Sequence, residues 1–220
     1  MKSSLFGKLL LAAAITIAAS PVAAEDIDIY AGNNSNAKSN VLLVLSNEAN
    51  WSASASTAGC VLGTEMNSSF DGRVGGVEIC GLYKAVTAIG ATPSLVGKLN
   101  MGVMLYSPTV GGVFKFPAPP TNPLPTMDAA GINTLQAVLR NLTRTGDNVA
   151  SGDVGGSMQE ARAYYTGGLG MSGRQYVPLV SDVCGKNFVI NIGIAKSGTA
   201  PSDSNANNVR NQLSSDCCQA

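Results

Sequence analysis

The chain has 220 residues, of which 45% are hydrophobic and only 13% are charged. This length allows one domain with a substantial core, and 14 basic residues against 14 acidic ones give no basic surface of the kind that binds nucleic acid. Histidine is absent, which excludes Ser-His-Asp hydrolases, Cys-His proteases and the HExxH zinc proteases.

The first 24 residues have the three parts of a secretory signal peptide. Lys2 and Lys8 form a basic segment, residues 9–18 are apolar, and residues 22–24 are small, as signal peptidase requires. The apolar run is shorter than the roughly 20 residues of a membrane-spanning helix, so an uncleaved anchor is the less favoured alternative. Cleavage after Ala24 would leave 12 basic and 14 acidic residues. We therefore expect an exported protein of the periplasm or cell surface.

Three strands are predicted in the first half of the mature chain. The unbroken apolar run at residues 40–45 (NVLLVL) is typical of a strand buried on both faces, as in a parallel sheet. Residues 52–81 are small, polar and rich in glycine, and we predict a long loop there, followed by a short helix at residues 82–89. Residues 99–106 and 112–116 are the second and third predicted strands.

The segment that follows alternates helices and loops. After a proline-rich connector at residues 118–125, the apolar spacing of residues 128–142 predicts an amphipathic helix. Residues 145–156 are predicted to form a loop. Ser157 is expected to cap a further helix that ends near Tyr165.

The last predicted strand spans residues 187–194 (NFVINIGI). Strands separated by helices predict an α/β fold with a mostly parallel sheet flanked by helices. In such a sheet the last strand would lie beside the first and, without further strands to cover it, present an open, apolar edge. Either a partner supplies a strand there, or the chain is a truncated product that folds poorly. Residues 197–220 are polar, rich in Asn and Ser, and predicted to be disordered.

Five cysteines are expected to form disulfides in an exported protein: Cys60, Cys80, Cys184, Cys217 and Cys218. Cys60 and Cys80 enclose a glycine-rich loop and are the favoured pair. Cys184 could reach Cys217 or Cys218, which leaves one thiol over. A zinc site is disfavoured because the chain has no histidine and no CxxC spacing.

Several side chains have a structural and a functional interpretation. Trp51, the only tryptophan, is expected to pack on the sheet rather than to line a binding crevice. Asp153 and Glu160 could form an acid pair, but solvated charges are favoured. Tyr164 and Tyr165 are expected on the inner face of their helix.

Three segments resemble the N-terminal von Willebrand factor A-like region of PilY1-type pilus-tip proteins: EDIDIYAG from Glu25, NVLLVLSNEANW from Asn40 and CGKNFVINIG from Cys184. They occur in the family's order and cover roughly residues 25–200. Members are large exported proteins of type IV pilus systems, with roles in pilus biogenesis, adhesion and surface sensing. The resemblance implies a von Willebrand factor A-like (Rossmann-like) domain at residues 25–196, incomplete at its C-terminus. It also implies pilus subunits or other cell-surface proteins as partners.

The A-domain family commonly binds a divalent cation through an Asp-x-Ser-x-Ser turn, a threonine in a later loop and a later aspartate. This chain has Ser46, Glu48 and Asn50 at the positions of the turn, and Ser157 at the threonine. Ile194 falls near the later aspartate. Magnesium and calcium require charged oxygen ligands, and only Glu48 could supply a negative charge. The resemblance therefore implies at most a weak Mg²⁺ or Ca²⁺ site, and residues that cap the strand are favoured.

The favoured function is a non-enzymatic, pilus-associated protein that binds other proteins through a degenerate A-type domain. One alternative is a cation-dependent adhesin domain, in which a surface ligand completes the coordination of a metal. A secreted enzyme is a remote alternative, because the sequence offers no nucleophile–base pair and no convincing carboxylate pair. The propeller-like C-terminal region of the family has no counterpart here, and its functions are not carried over.

Overall fold

A four-stranded sheet in the order β3-β2-β1-β4 organises the described residues of the computed structural model. The described residues are 38–152, 154–178 and 186–193. The strands are β1 (Ser39–Leu45), β2 (Leu99–Ser107), β3 (Gly111–Phe116) and β4 (Asn187–Ile192). β1 pairs in parallel with both β2 and β4, whereas β3 runs antiparallel to β2. The predicted α/β fold with a mostly parallel sheet is therefore confirmed.

Helices cover both faces of this sheet. They are α1 (Val74–Gly90), α2 (Ala129–Asn141), the single turn α3 (Arg144–Asp147) and α4 (Val154–Thr166). Two 3-10 turns, Ala49–Ser52 and Ser68–Phe70, lie between β1 and α1. Among the described residues, no helix combines the length and the apolar character needed to cross a bilayer.

The alternating side chains of β1 explain its unbroken apolar sequence. Val41, Leu43 and Leu45 belong to the core that α1 and α2 cover. Leu42 and Val44 point to the opposite face and pack with α4. A strand covered by helices on both faces needs apolar residues at every position, since neither set of side chains meets water.

The predicted loop at residues 52–81 is wrong over its last eight residues, because α1 begins at Val74 rather than near residue 82. Glycines at positions 75 and 76 lower helix propensity and conceal this start in the sequence. The fold requires them for close packing. A Cβ atom on Gly75 would lie 2.8 Å from both Phe70 and Trp51, and one on Gly76 would meet the backbone of Phe70.

The predicted loop at residues 145–156 and the predicted cap at Ser157 are also wrong in part. α3 occupies the start of that segment, and α4 begins at Val154. Ser157 therefore lies in the first turn of α4, fully buried, instead of preceding the helix. The glycines at positions 155 and 156 conceal this helix start in the same way.

Several sequence predictions lie outside the described residues. They concern the signal peptide at 1–24, the tail at 197–220, Asp153, Cys184, Ile194, Cys217 and Cys218.

Candidate functional site

The carboxyl end of β1 contains the first group of predicted site residues. Ser46 is almost fully buried, and its amide donates to the carbonyl of Ile192 in β4 at 2.8 Å. Its hydroxyl donates to Oε2 of Glu48 at 3.4 Å. Ser46 and Glu48 are therefore in contact, at the edge where open parallel sheets bind ligands.

The segment between α3 and α4 is hydrogen-bonded to the residues that follow β1. The amide of Val149 donates to the carbonyl of Asn47 at 2.9 Å, and the Asn47 side chain donates to the carbonyl of Asp147. The Asn148 side chain donates to the carbonyl of Glu48 at 3.0 Å. The amide of Gly152 donates to Oε1 of Glu48 at 2.9 Å. The polar groups of this edge thus bind one another across about 100 residues of sequence.

Asn50 and Trp51 lie in the 3-10 turn that follows. Asn50 is half-buried, and Trp51 is fully buried. The Trp51 ring packs edge-to-face on Phe70 with centroids 4.9 Å apart, and its Nε1 donates to Oε2 of Glu78 at 2.7 Å. Trp51 is therefore a core residue, the interpretation that the sequence favoured.

Ser157 lies elsewhere along this edge. Its hydroxyl donates to the carbonyl of Gly111, at the start of β3, at 2.6 Å. Because β3 is separated from β1 by β2, this contact is two strands away from the turn that holds Ser46 and Glu48. The Ser46 hydroxyl thus contacts Glu48, whereas the Ser157 hydroxyl contacts the start of β3.

The residues that the resemblance assigns to a divalent cation do not fit a tight site. Ser46, Glu48, Asn50 and Ser157 carry one formal negative charge between them. Both carboxylate oxygens of Glu48 already accept protein hydrogen bonds. A hard dication needs several charged oxygens to offset the loss of its hydration shell, and this group does not provide them.

The disulfide region contains another group of potential metal ligands. Cys60, Glu65 and Cys80 have ligand atoms within 4.8 Å of one another. However, Cys60 and Cys80 are joined in a disulfide, with their Cα atoms 6.0 Å apart, so neither offers a thiolate. This is the pair that the sequence favoured, and disulfides are typical of oxidising compartments outside the cytoplasm.

Glu160 was expected to be a solvated charge, and this prediction is wrong. The residue is fully buried on α4, and its carboxylate accepts from the amide and hydroxyl of Ser172 and from the hydroxyl of Tyr176. These donors come from the segment after α4, which folds back over the helix. A buried carboxylate is tolerated when several donors surround it, and the sequence contains no pattern that places Ser172 and Tyr176 there.

Two further ionisable groups at the carboxyl edge, Tyr106 and Glu78, were not predicted from the sequence. The hydroxyl of Tyr106 in β2 donates to Oδ1 of Asn191 in β4 at 2.7 Å. Burial raises the pKa of Tyr106, the hydrogen bond to Asn191 offsets part of that rise, and the negative charges of Glu48 and Glu78 add to it. Burial also raises the pKa of Glu78, although the hydrogen bond from Trp51 offsets part of that rise. Both positions depend on tertiary packing, so neither could be found from sequence spacing.

The raised pKa of Glu78 predicts a pH-dependent contribution to stability. The neutral form is favoured in the folded state, so its stabilising effect is fully present below about pH 4.5 and is lost as pH rises through the folded pKa. Glu78→Gln keeps a carbonyl oxygen that can accept from Trp51. We expect this variant to melt at a higher temperature than wild type at neutral pH, and at nearly the same temperature near pH 4. An equal difference at both pH values, measured by calorimetry, would contradict this assignment.

Comparisons with known proteins identify no relative: no family model matches the chain, and no curated protein or solved structure matches it either. The likeness to PilY1-type proteins stays a prediction from three sequence segments.

Proposed function

We propose that this chain is an exported, non-enzymatic protein of a type IV pilus system that binds other proteins during pilus biogenesis or adhesion. Its binding element would be a degenerate von Willebrand factor A-like domain. The three PilY1-like sequence segments support the assignment to a type IV pilus system. The Cys60–Cys80 disulfide supports export. The observation that supports protein binding is the outer edge of β4.

The hydrogen-bond register of β4 determines which of its backbone groups point toward β1 and which point away from it. The amide of Asn40 donates to the carbonyl of Lys186, and the amide of Ser46 donates to that of Ile192. Alternate residues of a parallel strand bond the same neighbour, so the even-numbered residues of β4 face β1. The amides and carbonyls of Asn187, Val189 and Asn191 point away from it. Among the described residues, β4 pairs with β1 alone.

The side chains of β4 do not protect this edge. The strand reads NFVINI, with no charged residue and no proline, and Ile190 is 44% exposed. Exposed edge strands usually have charges or prolines that prevent pairing with another chain. The edge fits an extended, uncharged segment of a pilus subunit, which would add a strand to the sheet through main-chain hydrogen bonds.

Light scattering after size-exclusion chromatography tests this proposal. We expect the oxidised mature chain, residues 25–220, to form a complex with purified pilus subunits. Ile190→Lys places a charge on the edge and should weaken binding about tenfold or more, or about 1.4 kcal/mol. Val177→Lys is the matched control, because Val177 is 69% exposed but lies in the segment after α4, and it should bind like wild type.

Two results would overturn the proposal. One is no complex between the folded wild-type chain and any subunit of the pilus. The other is equal binding by wild type and Ile190→Lys, which would move the interaction away from β4.

A further inference from the structure

We infer that Glu48 fastens the carboxyl edge of the sheet where an A-domain would use a dication, so that this edge holds its shape without Mg²⁺ or Ca²⁺. The inference rests on the misfit between the residues present and a metal site. It concerns only the internal contacts of the edge, and it does not require that β4 bind a partner.

Glu48 connects the two segments that meet at this edge. Oε2 accepts from the hydroxyl of Ser46 at the end of β1, and Oε1 accepts from the amide of Gly152 just before α4. The main-chain carbonyl of Glu48 accepts from the side chain of Asn148. One residue thus links the strand to the incoming helix segment through its side chain and its backbone.

The end of β4 also contacts Ser46. The amide of Ser46 donates to the carbonyl of Ile192, and a Cβ atom on Gly193 would lie 2.4 Å from that of Ser46. Ser46 is thus held between β4 on one side and the Glu48 carboxylate on the other. The link made by Glu48 therefore extends from the segment before α4, through β1, to the end of β4.

The packing around Gly152 explains why a carboxylate is suited to this position. A Cβ atom at Gly152 would lie 2.7 Å from the Tyr106 ring and 2.9 Å from Cγ of Glu48. The backbone of the half-buried Gly152 therefore lies directly against these two side chains. Its amide donates to Oε1 of Glu48, and a carboxylate is a stronger acceptor than a neutral group.

Amide hydrogen exchange of the mature chain, resolved by residue with NMR, tests the inference. In Glu48→Ala, we expect Gly152 to exchange roughly tenfold faster, the size expected for loss of one charge-assisted hydrogen bond. Glu65→Ala is the matched control, because Oε2 of Glu65 accepts from the amide of Val61 at 2.9 Å. That variant should accelerate Val61 and leave Gly152 unchanged. Millimolar Mg²⁺ or Ca²⁺ should change neither rate in wild type.

Two outcomes would overturn the inference. Gly152 exchanging at the wild-type rate in Glu48→Ala would show that Glu48 does not hold this segment. Cation-induced slowing of Gly152 that is present in wild type and lost in Glu48→Ala would show that Glu48 is a metal ligand. If Glu48→Ala accelerates exchange throughout the strands, the rate at Gly152 relative to the β1 amides decides instead. A larger acceleration at Gly152 than at the β1 amides supports the inference, and an acceleration at Gly152 no larger than theirs overturns it.

Discussion

Trp51→Ala is expected to lower the free energy of unfolding by about 3–5 kcal/mol, as truncation of large buried aromatic residues does. Trp51 is fully buried and packs on Phe70, so the substitution leaves a cavity beneath α1. It also removes the Nε1 donor of the half-buried Glu78 carboxylate. Urea denaturation followed by far-UV circular dichroism measures the loss, because the variant has no tryptophan fluorescence.

Val77→Ala is the control for this substitution. Val77 lies on α1 close to Glu78 in sequence but is 42% exposed, so its truncation should change stability by no more than about 0.5 kcal/mol. A loss below about 1 kcal/mol for Trp51→Ala would indicate a surface contact residue rather than a core residue.

The Cys60→Ala, Cys80→Ala double variant is expected to lose about 3 kcal/mol of stability, because the disulfide closes a loop of 20 residues in the unfolded chain. The loop contains Met66 and Phe70, both fully buried, and the bond fastens it to the middle of α1. Chemical denaturation under oxidising conditions measures this loss against wild type.

Reduction with dithiothreitol distinguishes the contribution of this disulfide to stability from that of the remaining cysteines. Reduction should destabilise wild type by at least as much as the double substitution does. Any further effect of the reductant on the double variant reports on Cys184, Cys217 and Cys218. A double variant with the midpoint of oxidised wild type would mean that the Cys60–Cys80 bond does not stabilise the fold.

The sheet could be predicted from the sequence because its central strands are covered on both faces. The run at residues 40–45 became β1, and the predicted strand at 99–106 became β2, with ends displaced by one residue. The placement of β4 beside β1 followed from the predicted topology. Helix starts were missed where glycines serve packing, as Gly75 does against Trp51 and Phe70.

The candidate site could be predicted only where its residues are neighbours in sequence. The family resemblance assigned Ser46 and Glu48 to one turn, two residues apart in sequence, and the structure joins them. The contact from Glu48 to Gly152 crosses 104 residues, and the contact from Tyr106 to Asn191 crosses 85. Neither pair has a spacing pattern, because the packing of separate elements brings them together. The burial of Glu160 was missed for the same reason.

The most direct test of the interaction proposal is amide hydrogen exchange of the mature chain with and without saturating pilus subunits. We expect slower exchange at Asn187, Val189 and Asn191 in the complex, because their amides face away from β1. We expect little change at Gly152 on the carboxyl edge. Protection confined to the carboxyl edge, or no protection of β4 in a complex that demonstrably forms, would contradict strand addition at β4.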